Sequence, residues 1–151
     1  MMGIELDKAE YFPGETIRAK IRVSMGKPVK ARGVYAELLC SERHRVTSHR
    51  VMDNYDFERE KEMGGFKETH MVSHVTEHDS MKFRQEKKVA GEGMYANNEF
   101  EAVFDLPPNA VPTSHEFGHD NKIRRWKLRV KLDIPLALDD SAEKEIFVGG
   151  L

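Results

Sequence analysis

The segment His115-Glu116-Phe117-Gly118-His119 carries the most explicit chemical pattern in the chain: two imidazoles four positions apart, with a carboxylate after the first. On a helix that spacing stacks the rings one turn apart, where they bind zinc while the glutamate acts as general base. Glu143 or Glu145 would supply a third ligand. The flanks oppose a helix. Pro112 lies just before the segment, Gly118 lies inside it, and a strand pattern starts near Ile123. The segment therefore reads as a polar interstrand loop, with a zinc-dependent hydrolase on His115, Glu116 and His119 as the alternative.

His70, His74 and His78 recur every four residues, which puts them on one face of a strand or a helix. On a strand, successive members of the set lie about 13 Å apart. On a helix the outer two are separated by about 12 Å of rise. No single regular element closes all three on one ion, though His44 and His49 could join from elsewhere. A His-based metal-binding module is thus a second alternative. Ser114 precedes His115, but adjacency in sequence is not triad geometry. Cys40, the only cysteine, falls on the apolar side of a strand pattern and reads as a core thiol. No phosphate loop, dinucleotide fingerprint or nucleophile elbow is present. The sequence thus assigns no catalytic residue, no cofactor and no metal ligand.

The remaining chemistry is charge on alternating positions. Arg18, Lys20 and Arg22 form one basic stripe, and Arg125, Lys127, Arg129 and Lys131 form another. Glu99, Glu101 and Asp105 form an acidic one. Cross-strand ion pairing and edge protection account for such stripes in many sheets. The functional reading is a basic surface that receives an acidic or phosphorylated peptide.

The elements that would position these residues read as strands. Ile17, Ala19, Ile21 and Val23 alternate with the first basic stripe, after a Pro13-Gly14 type II turn. Gly26-Lys27-Pro28 reads as the end of that strand. Val34, Ala36, Leu38 and Cys40 mark a second strand. Phe100, Ala102, Phe104 and Leu106 mark a third, ended by Pro107-Pro108. Trp126, Leu128, Val130, Leu132 and Ile134 form the cleanest, and Glu145 to Val148 reads as a short closing strand. The middle stretch has two readings. Asn54 to Met63 forms a polar helix ended by Gly64-Gly65, or the region is a long hairpin or loop with residues 67–78 and 81–90 as arms; the hairpin is favoured. Short strands and frequent turn signals predict an all-β antiparallel β-sandwich, with residues 1–151 as a single domain.

Composition agrees. The chain has 151 residues, 39% hydrophobic and 33% charged, with formal net charge −2. That balance gives no overall drive towards nucleic acid. No apolar run approaches the roughly 20 residues of a membrane span. The first residues lack an apolar h-region, so no secretory signal is expected, and Gly3 falls one position late for myristoylation. A single cysteine allows no internal disulfide and fits a cytoplasmic location.

Several segments in order resemble the arrestin family. Tyr11-x-Pro13-Gly14-Glu15-x-Ile17 is similar to the opening of arrestin-type domains, and Gly33-Val34 through Leu38 to their next strand. Gly93-x-Tyr95, Phe100, Phe104-x-Leu106-Pro107 and Pro112-x-Ser114 resemble the strand-and-proline segment, and Ile123 to Asp133 the strand after it. Leu132-Asp133-Ile134-Pro135, Asp139 and Ile146-x-Val148 resemble the bacterial and archaeal sporulation-control branch. The resemblance covers about two thirds of the chain and leaves out residues 46–90. It implies an immunoglobulin-like, arrestin-type sandwich that acts as a non-catalytic protein-binding scaffold or adaptor. It also sets His115 to His119 in an interstrand loop. Typical arrestins carry two such sandwiches, and this length accommodates one. Self-association through a sheet edge or the middle hairpin is a further expectation.

Overall fold

The computed structural model describes residues 1–51, 71–118 and 120–150. Seven strands follow one another: β1 (Met2–Leu6), β2 (Thr16–Ala31), β3 (Gly33–Val51), β4 (Met71–Ala90), β5 (Gly93–Asp105), β6 (Lys122–Asp133) and β7 (Asp140–Ile146). They form two antiparallel sheets, ordered β1-β2-β5 and β4-β3-β6-β7. This is the all-β antiparallel sandwich that the alternation predicts and the resemblance implies.

The period-2 pattern decides what each sheet buries. Ile17, Ala19, Ile21 and Val23 of β2 share one buried cluster with Val34, Ala36, Leu38 and Cys40 of β3 and Trp126, Leu128, Val130 and Leu132 of β6. Each large aliphatic side chain there contributes about 1.5–3 kcal/mol of burial free energy. The indole of Trp126 donates from Nε1 to the Val111 carbonyl at 2.7 Å, which ties the β5–β6 connection to the core. The Phe83 ring of β4 tilts against it at 5.5 Å.

The Pro13-Gly14 turn forms as the sequence requires. Glu15 N–H donates to the Phe12 carbonyl at 3.0 Å, and Gly14 takes φ of 85°. At Gly33 a side chain is excluded by packing instead, because a Cβ there would lie 2.8 Å from the Ala90 carbonyl oxygen.

Three boundaries differ from the sequence reading. Gly26-Lys27-Pro28 does not end β2. The β2–β5 register shifts between Ser24 and Val29 and then resumes to Ala31. A bulge absorbs the N–H that Pro28 lacks, so the strand survives it. In the middle, the hairpin forms, but its arms are β3 and β4. Residues 71–90 are one strand, with Asp79 opposite Arg43 and Ser80 opposite Glu42. No Gly or Pro stands near Asp79-Ser80 to turn the chain there. The helix alternative at Asn54 to Met63 and the arm residues 67–70 lie outside the described residues. Finally, β7 begins at Asp140 rather than Glu145, and Val148 forms an isolated parallel bridge with Tyr11.

β6 pairs with β3 only as far as His44–Lys122. Beyond that point β3 and β4 continue as a two-stranded ribbon, from Arg45–Glu77 to Val51–Met71.

Candidate functional site

The two basic stripes lie on opposite outer faces of the sandwich, because their strands belong to different sheets and each turns its apolar side to the shared core. They are therefore two surfaces, where the sequence reading grouped them as one. On the three-stranded sheet, Arg18 meets Glu101 at 3.2 Å, Lys20 meets Glu99 at 3.4 Å, and Arg22 meets Glu5 at 3.1 Å and Glu99 at 3.6 Å. The antiparallel register that sets Glu99 opposite Arg22 and Glu101 opposite Lys20 produces this neutralisation. Asp105 accepts a hydrogen bond from the Thr16 hydroxyl at 2.8 Å.

The stripe on the four-stranded sheet is matched less completely. Arg129 pairs with Glu143 at 2.8 Å, Lys127 reaches the same carboxylate at 3.8 Å, and Lys131 reaches Asp139 at 3.6 Å. Among the described residues no carboxylate lies within 4.0 Å of the Arg125 side-chain nitrogens. Arg125 stands directly across from Ser41 of β3. Ser41 is short and its neighbours are long, which leaves a depression of about 280 Å³ lined by Ser41, Arg43, Asp79, Ile123, Arg125 and Lys127. Arg43 is held by Asp79 at 2.9 Å. Three cations and one carboxylate around a hydroxyl make a site suited to an anionic group.

Among the described residues the histidines do not gather into a metal site. Residues 115–118 are non-helical, so the one-turn stacking that the zinc pattern needs is not built there; His119 lies outside the described residues. His115 Nδ1 stands 3.5 Å from Glu145 Oε1, and its ring rests against Phe147 at 5.3 Å. Glu116 is exposed, and Glu143 is engaged by Arg129. Ser114 forms a bridge with Arg124, which anchors the loop rather than activating the hydroxyl. His78 lies opposite His44 and His74 opposite Ser48; His70 and the His49 side chain lie outside the described residues. Among the described residues no three His, Cys, Asp or Glu side chains group as metal ligands. Cys40 is a buried core thiol, with its pKa pushed up to about 11 by burial and then by the neighbouring Glu42 charge.

Sequence reasoning missed the most enclosed ionic cluster. Glu42 is only 6% exposed on the core side of β3. Its carboxylate accepts from Arg124 Nε at 3.0 Å, with Lys82 Nζ at 3.5 Å and Lys122 Nζ at 3.8 Å. Arg124 also binds Asp120. Burial alone would raise the Glu42 pKa, but the Arg124 hydrogen bond and the three cations hold it below the usual glutamate value. The signal was parity. Glu42 continues Val34, Ala36, Leu38 and Cys40, and Arg124 precedes Trp126 and Leu128 on the same side. The core thus ends in a paired charge cluster where the free ribbon begins.

Two antiparallel sheets closed over one apolar core, with charge patterned on both outer faces, define an arrestin-type β-sandwich. The family model for the arrestin (or S-antigen) N-terminal domain matches residues 2–150, and the chain belongs to that family. The match includes residues 46–90, where the sequence resemblance had no motif. Among solved structures, the sporulation control protein Spo0M from Bacillus subtilis has a similar fold, with a TM-score of 0.60 and 22% identity over 99% of this chain. This chain spans about half of that one, 49%. No curated protein matches. Among the described residues no helix is long and apolar enough to cross a membrane.

Proposed function

We propose that the chain is a single-domain, non-catalytic scaffold or adaptor that binds an acidic or phosphorylated segment of a protein partner. A cytoplasmic setting accompanies this reading. The observation that carries it is Arg125, which has no carboxylate within ion-pair distance among the described residues and borders the Ser41 depression with Arg43 and Lys127. An arginine can give a phosphate or carboxylate two parallel hydrogen bonds, and a serine hydroxyl beside it adds a third. The stripe at Arg18, Lys20 and Arg22 supports the reading less, because its charges are already opposed by Glu101, Glu99 and Glu5. Arg129 and Lys131 extend the favoured face towards β7 and would hold further acidic residues.

Fluorescence anisotropy with an acidic peptide, in phosphoserine and unmodified forms, tests this. Arg125→Glu with Lys127→Glu should abolish binding, while Arg18→Glu with Arg22→Glu should leave it intact. Absence of binding to either form, or equal loss in both variants, would sink the reading.

A further inference from the structure

β4 is an edge strand of 20 residues, at the end of the order β4-β3-β6-β7. Strands usually run 3–10 residues, and a long edge presents unpaired N–H and C=O groups along its length. His78 to Ala90 of β4 border the sandwich body, and Met71 to Glu77 belong to the ribbon beyond His44, where β3 and β4 pair only with each other among the described residues. Two-stranded ribbons are marginally stable in water, and a third strand is what they lack.

The charges along β4 are divided. Glu77 and Asp79 lie before the bulge, and Lys82 and Arg84 lie at and after it. All four are substantially exposed, at 43%, 69%, 46% and 61% respectively. A register shift between Cys40 and Ser41 places a bulge opposite them, so the outward face changes from odd to even residue numbers across Lys82. Glu77 and Arg84 therefore point to the same outer face. His78 and Phe83 both point to the other.

We propose that β4 pairs antiparallel with β4 of a second copy of this chain, about a two-fold axis between Ser80 and Met81. Residues 75–86 of each copy then pair, and each ribbon lies along the body edge of its partner. In this register Glu77 stands opposite the partner's Arg84 on the outer face, and the symmetry makes that match twice. His78 stands opposite the partner's Phe83, and Thr76 opposite the partner's Gln85. Outside the bulge the faces match, because the two-fold axis places odd positions 75 and 77 of one copy against even positions 86 and 84 of the other. Sliding by two residues sets Glu77 against the partner's Glu86, and sliding by one turns the side chains to opposite faces. Sliding two residues the other way sets Glu77 against the partner's Lys82, which turns inward to Glu42, so the Glu77–Arg84 match and the shared face together favour a second copy in this register. Existing contacts of Arg84 with Glu37 and of Glu77 with Arg43 and Arg45 stay on the same face and join the network.

Sedimentation equilibrium of the chain over micromolar to near-millimolar concentration tests the proposal. Wild type should dimerise, more weakly in high salt. Glu77→Arg sets arginine against the partner's Arg84, and Arg84→Glu sets glutamate against the partner's Glu77. Each should weaken the homodimer about tenfold or more, since two opposed pairs change sign. Mixing the two variants restores opposite charges at both positions, so the mixture should form a heterodimer with wild-type affinity. Circular dichroism of each variant checks that the sandwich is folded, and Glu77→Lys with Arg84→Asp gives a second pair if either fails. A strictly monomeric wild type, or folded variants that do not associate on mixing, would overturn it. Neither Glu77 nor Arg84 lines the Ser41 depression, so the mixing result is read separately from peptide binding there.

Discussion

Replacing Glu42 with glutamine keeps the volume and one acceptor oxygen but removes the charge that three cations share. Breaking a buried ion pair by neutralising one partner typically costs about 3–5 kcal/mol. The cations here retain access to water, with Arg124 at 22%, Lys122 at 32% and Lys82 at 46% exposure. Solvent therefore recovers part of that cost, and about 2–3 kcal/mol is expected for Glu42→Gln at pH 7. For a chain of this size that lowers Tm by roughly 5–10 °C. The pH dependence has a definite sign. The folded-state pKa of Glu42 is held below its ordinary value of 4.5. Its charge therefore contributes stability fully above about pH 4.5, and that contribution is lost as pH falls through the folded pKa. The stability gap between wild type and Glu42→Gln should shrink on acidification below pH 4.5. Asp120 shares Arg124 but titrates in both proteins. Urea unfolding at a series of pH values reads the gap directly. A variant within about 0.5 kcal/mol of wild type at pH 7, the range of ordinary surface substitutions, would refute the argument. A gap unchanged down to pH 3 would do the same.

Two further predictions concern the opening segment. Tyr11 is fully buried, donates to Asp7, and has its pKa pushed up to about 12 by burial and then by that hydrogen bond. Its contribution is present below about pH 10 and lost as pH rises from 10 to 12, at most about 3 kcal/mol because Asp7 is exposed. Tyr11→Phe should lack that alkaline loss, which chemical unfolding at pH 8 to 11 would show. Gly14→Ala meets open space but forces a Cβ into φ of 85°. It should cost about 1–2 kcal/mol, visible as a Tm lower by a few degrees; an unchanged Tm would mean that the turn relaxes.

Much of the fold was legible because burial follows a period of two. Ile17 to Val23 and Trp126 to Leu132 state their strands and their inward faces without any knowledge of neighbours. The Pro13-Gly14 turn was equally local, since Gly alone takes its φ without strain. The middle hairpin was harder to read. The described side chains of its ribbon, Val46 to Ser48 and His74 to Glu77, are exposed on both faces, so no apolar alternation marks the strand, and pairing with β3 is what makes residues 71–90 continuous. The bulge at Gly26-Lys27-Pro28 was hidden for a related reason: whether a proline ends a strand depends on which edge its missing N–H faces.

For function, sequence alone determined the chemical inventory. It supplied alternating cations, a thiol on an apolar face, and a zinc-like pattern in a context hostile to helix. Only the tertiary structure decided which charges meet. Register neutralised Arg18, Lys20 and Arg22 with carboxylates about 80 residues away, gathered Lys82, Lys122 and Arg124 around Glu42, and left Arg125 beside Ser41. Electrostatic free energy depends on distance and burial, and in a sandwich both are set by pairing between strands remote in sequence.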